Sequence, residues 1–371
     1  MKQFTIPEGM RDMILGECEI KKKLQYQIES YLDKWGYKEV VTPTIEFYKT
    51  YNVGFEDIQE EDMYKFFDAS GHILTLRTDM TIPIARVAAT KFKDAKMPLR
   101  FRYCANVFKV HEALSGIRNE ITDCGVELIG VEENCGDLEI VVTAMETLQV
   151  IKDKQVIMEI GNINFFQEAC NGIGLDNKQA SILADYIDKK SLKALEDYLE
   201  QLKLEEQYKA FFNKLPWLCG DYTILEEAKK YAFNSGLKKI ISNLEQLNND
   251  LNQLGYTNLI YDFGKVTNLN YYTGIIFEAF VEGVGTKVLS GGRYDNLIGK
   301  YGKELPAVGF SIKLDELLEV VEPPEKRRKC VIEYNKNYKL EVMKKAKELR
   351  ERQIVELVVN NDIEQIVISE V

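Results

Sequence analysis

Ile20, Leu24, Ile28 and Leu32 recur at every fourth position with Lys, Glu and Gln between them. That spacing, close to one helical turn, predicts an amphipathic helix over residues 17–35, stopped by Gly36. The apolar pair Val40-Val41 runs into Thr42-Pro43, and the pattern then shortens to strand-like pieces at 73–76, 99–103 and 126–129, with a helix around 82–92. The first 160 or so residues therefore predict an α+β unit with antiparallel strands. From about 162 to 255 the periodicity turns helical and rich in Lys and Glu, as in Leu192, Leu195, Leu199 and Leu202. Strand patterns resume at 259–261, 275–277 and 286–289, and a closing helix is predicted over 314–321.

Pro323-Pro324 followed by the basic run 326–329 marks a linker, because paired prolines interrupt both helices and strands. Beyond it lies a β-α-β-β pattern of about 40 residues, a size that rarely folds without a neighbour. The expected organisation is one unit built from 1–161 and 256–321, a helical insertion at 162–255, and a linker with a short α/β segment at 322–371.

With 371 residues, 45% of them hydrophobic, the chain can bury a large core. Its 48 Lys and Arg against 59 Asp and Glu give a net charge of −11, which disfavours non-specific attraction to a phosphate backbone. The seven cysteines contain no C-x-x-C pair, so no zinc knuckle or disulfide framework is indicated and reduced thiols are expected. No signal-like apolar stretch opens the chain and no window approaches a membrane span. A cytoplasmic protein without membrane attachment is the expectation. His72 and His111, with no Cys or His cluster nearby, read as structural or surface residues; no metal or cofactor is expected.

Four ordered blocks carry chemistry. They are Gly36-Tyr37-Lys38-Glu39-Val40-Val41-Thr42-Pro43-Thr44-Ile45-Glu46; Leu76-Arg77-Thr78-Asp79-Met80-Thr81 with Ala85-Arg86; Phe101-Arg102-Tyr103 through Phe108-Lys109 to Gly125-Val126-Glu127-Leu128-Ile129-Gly130; and Tyr271-Tyr272-Thr273-Gly274 with Gly291-Gly292-Arg293-Tyr294-Asp295 and Ala307-Val308-Gly309-Phe310. Each has a plain structural reading. Tyr271-Tyr272 can be core aromatics, Asp79 can cap a helix, Glu127 points away from Val126 and Leu128 toward either solvent or a cavity, and Gly291-Gly292 can be a turn or a close backbone approach.

Taken in order, the blocks resemble the class II aminoacyl-tRNA synthetase fold in its histidyl branch, over most of residues 5–320. The resemblance implies an antiparallel sheet flanked by helices, a helical insertion, and a truncated C-terminal piece similar to the start of an anticodon-binding domain. In that family the first block builds a homodimer interface. The resemblance also implies a histidine site: Asp79, Thr81 and Asp123 toward the ammonium, Lys109 toward the carboxylate, and Glu127, Tyr272 and Tyr294 toward the imidazole, with Tyr271 as a wall. Asp123 stands where the family has glutamine.

The departures concern the nucleotide. Lys109 replaces the arginine of the second class II motif, Thr267 the arginine peculiar to the histidyl family, and Glu316 the arginine of the third motif. His111, Ile117 and Asn119 replace further charged residues of the second motif. Arginine forks neutralise triphosphate charge, whereas a carboxylate at 316 with no compensating cation opposes it by several kcal/mol at an effective dielectric of about 20. No catalytic residues are therefore expected. A disarmed chain of this kind resembles the regulatory subunits of short-form ATP phosphoribosyltransferase, which implies a hetero-oligomer with a catalytic subunit, L-histidine as effector, feedback inhibition and no tRNA partner. Two rival readings are an active histidine–tRNA ligase and a free-standing histidine sensor acting on another protein.

Overall fold

The computed structural model describes residues 5–54, 60–111, 116–266, 271–321 and 329–370. Contacts divide the chain into two units, Met1–Val321 and Glu322–Val371. In the first, the predicted amphipathic helix is α1 (Gly16–Lys34), and it buries Leu24, Ile28 and Leu32. Strand β1 (Lys38–Glu39) follows, then β2 (Ile45–Phe47), helix α2 (Tyr48–Gly54), β3 (Lys65–Phe67), β4 (Ile73–Leu76) and α3 (Thr81–Lys91). Long strands β5 (Leu99–Phe108) and β6 (Glu120–Ile129) lead to α4 (Glu133–Leu148) and β7 (Val156–Asn162).

Six helices then run in succession: α5 (Ile163–Gly172), α6 (Asn177–Asp188), α7 (Leu192–Gln201), α8 (Glu206–Lys214), α9 (Thr223–Tyr231) and α10 (Ser235–Gln253). Their starts are chemically marked. Asn162 and Asn234 accept backbone N–H groups at the starts of α5 and α10, and Asp176 with Gln179 forms a reciprocal capping box on α6. Apolar positions at helical spacing, Leu237, Ile241, Leu244, Leu247 and Leu251, turn α10 into the core. A two-residue strand, β8 (Cys219–Gly220), interrupts the helices. Strands β9 (Leu259–Asp262), β10 (Ile275–Val281), β11 (Leu289–Arg293) and β12 (Ala307–Lys313) complete the unit with the single turn α11 (Leu314–Leu317).

Nine strands form one mixed sheet in the order β1-β5-β6-β12-β11-β10-β7-β9-β8, and β2-β4-β3 form a small separate sheet. Neighbours from β5 to β7 in that order are antiparallel, while β1–β5 and β7–β9 are parallel. The back of the sheet packs on α1, α4 and the helical run, with Cys124, Val126 and Leu128 in one core with Leu24, Ile28 and Ile140. Its front meets α2 and α3 through a second core that holds Phe101, Tyr103, Ile82, Ala85 and Tyr294.

Several expectations change. Strand β5 continues to Phe108 because it stays paired with β6 as far as Phe108–Glu120. The strand expected at 286–289 starts instead at Leu289 and runs through Gly291-Gly292, since neighbouring side chains cover both glycines. The closing helix stops at Leu317, where Glu319 and Val320 donate to Glu316 and Leu317 in tight three-residue turns. The expectation of reduced thiols fails at one pair: Cys104 and Cys124 face each other across β5 and β6 with Cα atoms 4.0 Å apart, and they are joined as a disulfide. Directly opposed residues of an antiparallel pair lie close enough for that bond.

The second unit comprises β13 (Lys329–Tyr334), α12 (Lys339–Arg350), β14 (Ile354–Val359) and β15 (Val367–Glu370), with sheet order β14-β13-β15. Its core is small but its own: Cys330, Ile332, Tyr334, Val342, Ala346 and Val355. The proline pair of the expected linker lies outside the described residues.

Candidate functional site

Strand alternation decides which side chains meet on the front face. Across β6 and β12, Asp123 lies opposite Lys313, Gly125 opposite Ser311 and Glu127 opposite Gly309. Opposed residues project to the same side, and the β5 and β11 registers add Phe101, Tyr103 and Gly292 to it.

Glu127 is only 1% exposed. Thr81 Oγ1, at the start of α3, donates to its Oε1 at 2.9 Å, and the Tyr294 hydroxyl donates to its Oε2. A Cβ at 309 would collide with that second oxygen, so glycine is what lets the carboxyl lie across β12. Burial pushes Glu127 from its usual 4.5 up to about 8, with the two hydroxyls acting the other way. At neutral pH the group is largely protonated and can both donate and accept, which suits an imidazole nitrogen.

Asp123 is half-buried and its Oδ1 has no hydrogen-bond partner among the described residues. Burial raises its pKa to about 6, and Ser311, Lys313 and Lys109 oppose the shift. Asp79 fulfils the capping alternative: its Oδ1 accepts the Ile82 N–H at 2.8 Å and its Oδ2 the Thr78 hydroxyl at 3.1 Å. Burial raises its pKa as well, opposed by the Ile82 bond and the charge of Lys109.

Cations gather at one end. Lys109 is exposed just beyond β5, and its charge reaches both Asp79 and Asp123. Lys313, at the end of β12, is depressed by burial and by Lys287, against the pull of Asp123 and Glu316. The sequence reading missed Lys313 and Ser311, whose only mark was their alternation in an otherwise apolar run, and it quoted Tyr103 within a block without giving it a role in the site. Tyr271 and Tyr272 pack with ring centroids 4.5 Å apart, and Tyr271 meets Tyr294 edge-on at 6.2 Å. A Cβ at 292 would stand 2.7 Å from the Tyr272 ring, so this glycine serves a close approach and not a turn.

The altered nucleotide positions divide. Glu316 is half-buried, and its charge is one of those that act on Lys313. Asn119 is committed within the chain: its amide nitrogen donates to the Glu8 carbonyl and the Tyr64 hydroxyl, and its oxygen accepts the His111 N–H at 3.0 Å. Ile117 is 57% exposed. Thr267 lies outside the described residues.

Behind the tyrosines, Arg293 is 1% exposed and grips Asp137 through Nε at 2.8 Å and Nη2 at 2.7 Å, with Nη1 on Asp295 at 3.0 Å. The Arg293 carbonyl accepts the Thr273 N–H at 2.7 Å, and the Asp295 N–H donates to the Thr273 hydroxyl at 2.8 Å. That buried ion pair thereby holds the segment carrying Tyr271 and Tyr272. At the far edge of the sheet Glu159, Cys219 and Asp262 have ligand atoms within 4.8 Å of one another, with Lys265 already paired to Glu159.

Residues 9–317 match the family model described as Histidyl-tRNA synthetase. An ATP phosphoribosyltransferase regulatory subunit of Clostridium botulinum is 37% identical over 358 residues, spanning 94% of this chain and 85% of that protein. One from Bacillus mycoides is 35% identical over 350 residues, spanning 93% and 82%. A crystal structure described as an ATP phosphoribosyltransferase regulatory subunit/histidyl-tRNA synthetase from Bacillus halodurans superposes with a TM-score of 0.86 at 28% identity, covering 98% of this chain and 94% of that one. Histidyl-tRNA synthetase from Nostoc, at 19% identity and a TM-score of 0.77 over 98% and 88% of the two chains, shares the fold. A large mixed sheet of class II synthetase type and similarity to regulatory subunits over most of the chain agree: the chain belongs to the ATP phosphoribosyltransferase regulatory subunit family, and its role in histidine biosynthesis is regulatory, not catalytic.

Proposed function

We propose that the front-face cradle binds free L-histidine and that this binding inhibits a short-form ATP phosphoribosyltransferase catalytic subunit, whose activity also requires this chain. The observation that carries the reading is the orphaned Asp123 oxygen. A buried carboxylate oxygen without a donor costs free energy that a ligand ammonium relieves. From there the cradle presents, in turn, the Lys109 and Lys313 cations for a carboxylate and the Glu127–Tyr294 pair, walled by Tyr271 and Tyr272, for an imidazole. Asp79 and Thr81 complete the ammonium side.

Inhibition requires histidine to favour one arrangement of the complex over another, by a coupling of about 1 to 3 kcal/mol. We place the assembly in the cytoplasm and build it on a homodimer. By register Ile45, Phe47, Phe66, Leu74 and Leu76 share one face of the small sheet, and Ile45, Phe47 and Phe66 are exposed there, as is Val41 in the preceding segment. An apolar face of that kind favours a second copy.

Calorimetric titration with histidine tests the site: wild type binds, and Glu127→Ala weakens binding by about 1 to 3 kcal/mol. Unchanged affinity in that variant means the site lies elsewhere. Measurable ATP- and histidine-dependent pyrophosphate exchange would defeat the regulatory mechanism, and purification with an unrelated protein in place of the phosphoribosyltransferase subunit would favour the free-standing sensor.

A further inference from the structure

The ladder between β6 and β12 ends at the pair Asp123–Lys313, where β12 turns into α11. The next backbone N–H of β6, that of Thr122, is met by a side chain instead: Asp315 Oδ2 accepts it at 2.6 Å. Asp315 Oδ1 accepts the Lys21 ammonium of α1 at 2.9 Å, and this shared carboxylate is only 5% exposed. One buried group thus joins α1, α11 and the foot of the cradle strand. We propose that Asp315 is a positioning residue for the ammonium end of the cradle, and that Lys21 makes α1 the helix that sets it. The inference rests on the histidine reading and adds the control of that site.

Asp123 sits between the clasp and the ladder. On one side Thr122 is fixed to α11 through Asp315, and across the sheet Lys313 stands opposite Asp123. The Asp123 oxygen that lacks a partner among the described residues projects from this short stretch, so its direction follows the backbone at 122 and 123. A carboxylate–ammonium contact depends on that direction, because hydrogen bonds weaken steeply as they bend. Asp315 has both oxygens committed, one to Thr122 and one to Lys21, so it acts through the backbone and not on the ligand.

Lys21 keeps the carboxylate turned inward. A buried carboxylate stripped of its cation carries an uncompensated charge and turns toward water, which releases the Thr122 N–H. Beneath the cradle α1 meets β6 through apolar packing, with Leu24 and Ile28 in one core with Cys124 and Val126, and such contact has no preferred direction. The Lys21 bond adds one: a shift of α1 pulls on Asp315 and through it on Thr122. Linkage makes the effect reciprocal, so a ligand held by Asp123 biases α1 by the same free energy. Charge alone predicts the opposite sign for loss of Lys21. One positive charge fewer near Asp123 favours an ammonium ligand, whereas loss of position disfavours it.

Calorimetry on the full chain with histidine, histamine and imidazolepropionate tests the assignment, since histamine keeps the ammonium and imidazolepropionate lacks it. Lys21→Met weakens histidine and histamine by about fivefold or more, the lower end of coupling between sites, and changes imidazolepropionate by less than about twofold. Asp315→Asn gives the same selective loss, because the amide has one oxygen where the carboxylate has two. Wild type that fails to bind histidine removes the cradle itself. Wild type that binds histidine, with unchanged or increased histidine affinity in Lys21→Met, or with equal losses for ligands with and without the ammonium, overturns this inference alone.

Discussion

Glu127 Oε1 accepts the Thr81 hydroxyl at 2.9 Å, tying the second half of β6 to the first residue of α3. The bond ranks among the forces that hold the carboxyl in place, but burial still dominates its chemistry and raises its pKa to about 8. A carboxyl raised on folding binds more protons in the native state than in the unfolded chain between pH 4.5 and about 8. Its contribution is fully present below 4.5 and is lost as pH rises toward 8. Glu127→Gln removes that dependence, so the melting temperature of the variant falls less than that of wild type between pH 5 and pH 8. Parallel melting curves for the two proteins across the range would show that Glu127 is not buried as described.

Asp123 carries a second titration. Its carboxyl ionises near pH 6 because burial opposes the charge. An ammonium ligand prefers the ionised form, so wild type gains histidine affinity relative to Asp123→Asn as pH rises through about 6. Comparing the two proteins cancels the titration of the ligand's own imidazole. A constant affinity ratio from pH 5 to pH 8 removes Asp123 from the ammonium contact.

Lys313 is expected to hold the carboxylate end together with Lys109. Lys313→Met should weaken histidine about tenfold, the scale of one charge-assisted hydrogen bond of ~1.5 kcal/mol. Histamine, which lacks the carboxylate, should bind both proteins equally. Equal losses for the two ligands would assign Lys313 a structural role.

Gly309→Ala places a methyl group against Glu127 Oε2, with the Val126 carbonyl oxygen 2.5 Å away on the other side. Overpacking of this kind costs about 1 to 3 kcal/mol. Chemical denaturation should show that loss, and histidine affinity should fall with it because Glu127 is the group displaced.

Arg293→Met leaves Asp137 buried without its cation. Breaking one side of a buried ion pair costs about 3 to 5 kcal/mol, visible as a large drop in thermal stability. The double variant Arg293→Met with Asp137→Leu should recover part of it, as both charges are then gone.

How much of this was legible depended on the range of the signal. Helix α1 and most of the six-helix run could be read because their information is local: Leu24, Ile28 and Leu32 repeat within one element. The cradle residues on motifs, Glu127, Tyr272 and Tyr294, were legible from ordered blocks. Lys313 and Ser311 were not, and Tyr103 stood in a block without a role, because only the register of β12 and β5 on β6 puts them beside Asp123 and Glu127, and register is a non-local property. The same limit hid the Cys104–Cys124 bond, which follows from strand pairing and leaves no spacing motif in the chain. Gly291-Gly292 ended the expected strand too early, at Leu289, because glycine in a sequence marks a turn as readily as a crowded strand.

On β6, Glu127 and Asp123 look toward the cradle while Cys124, Val126 and Leu128 look into the packing beneath α1 and α4. One strand is thus floor to the cradle proposed for histidine and ceiling to the main core, with a single peptide plane between them. On that reading, histidine binding is expected to register first as slowed hydrogen exchange in α1 and α4, which pack directly against the reverse face of β6.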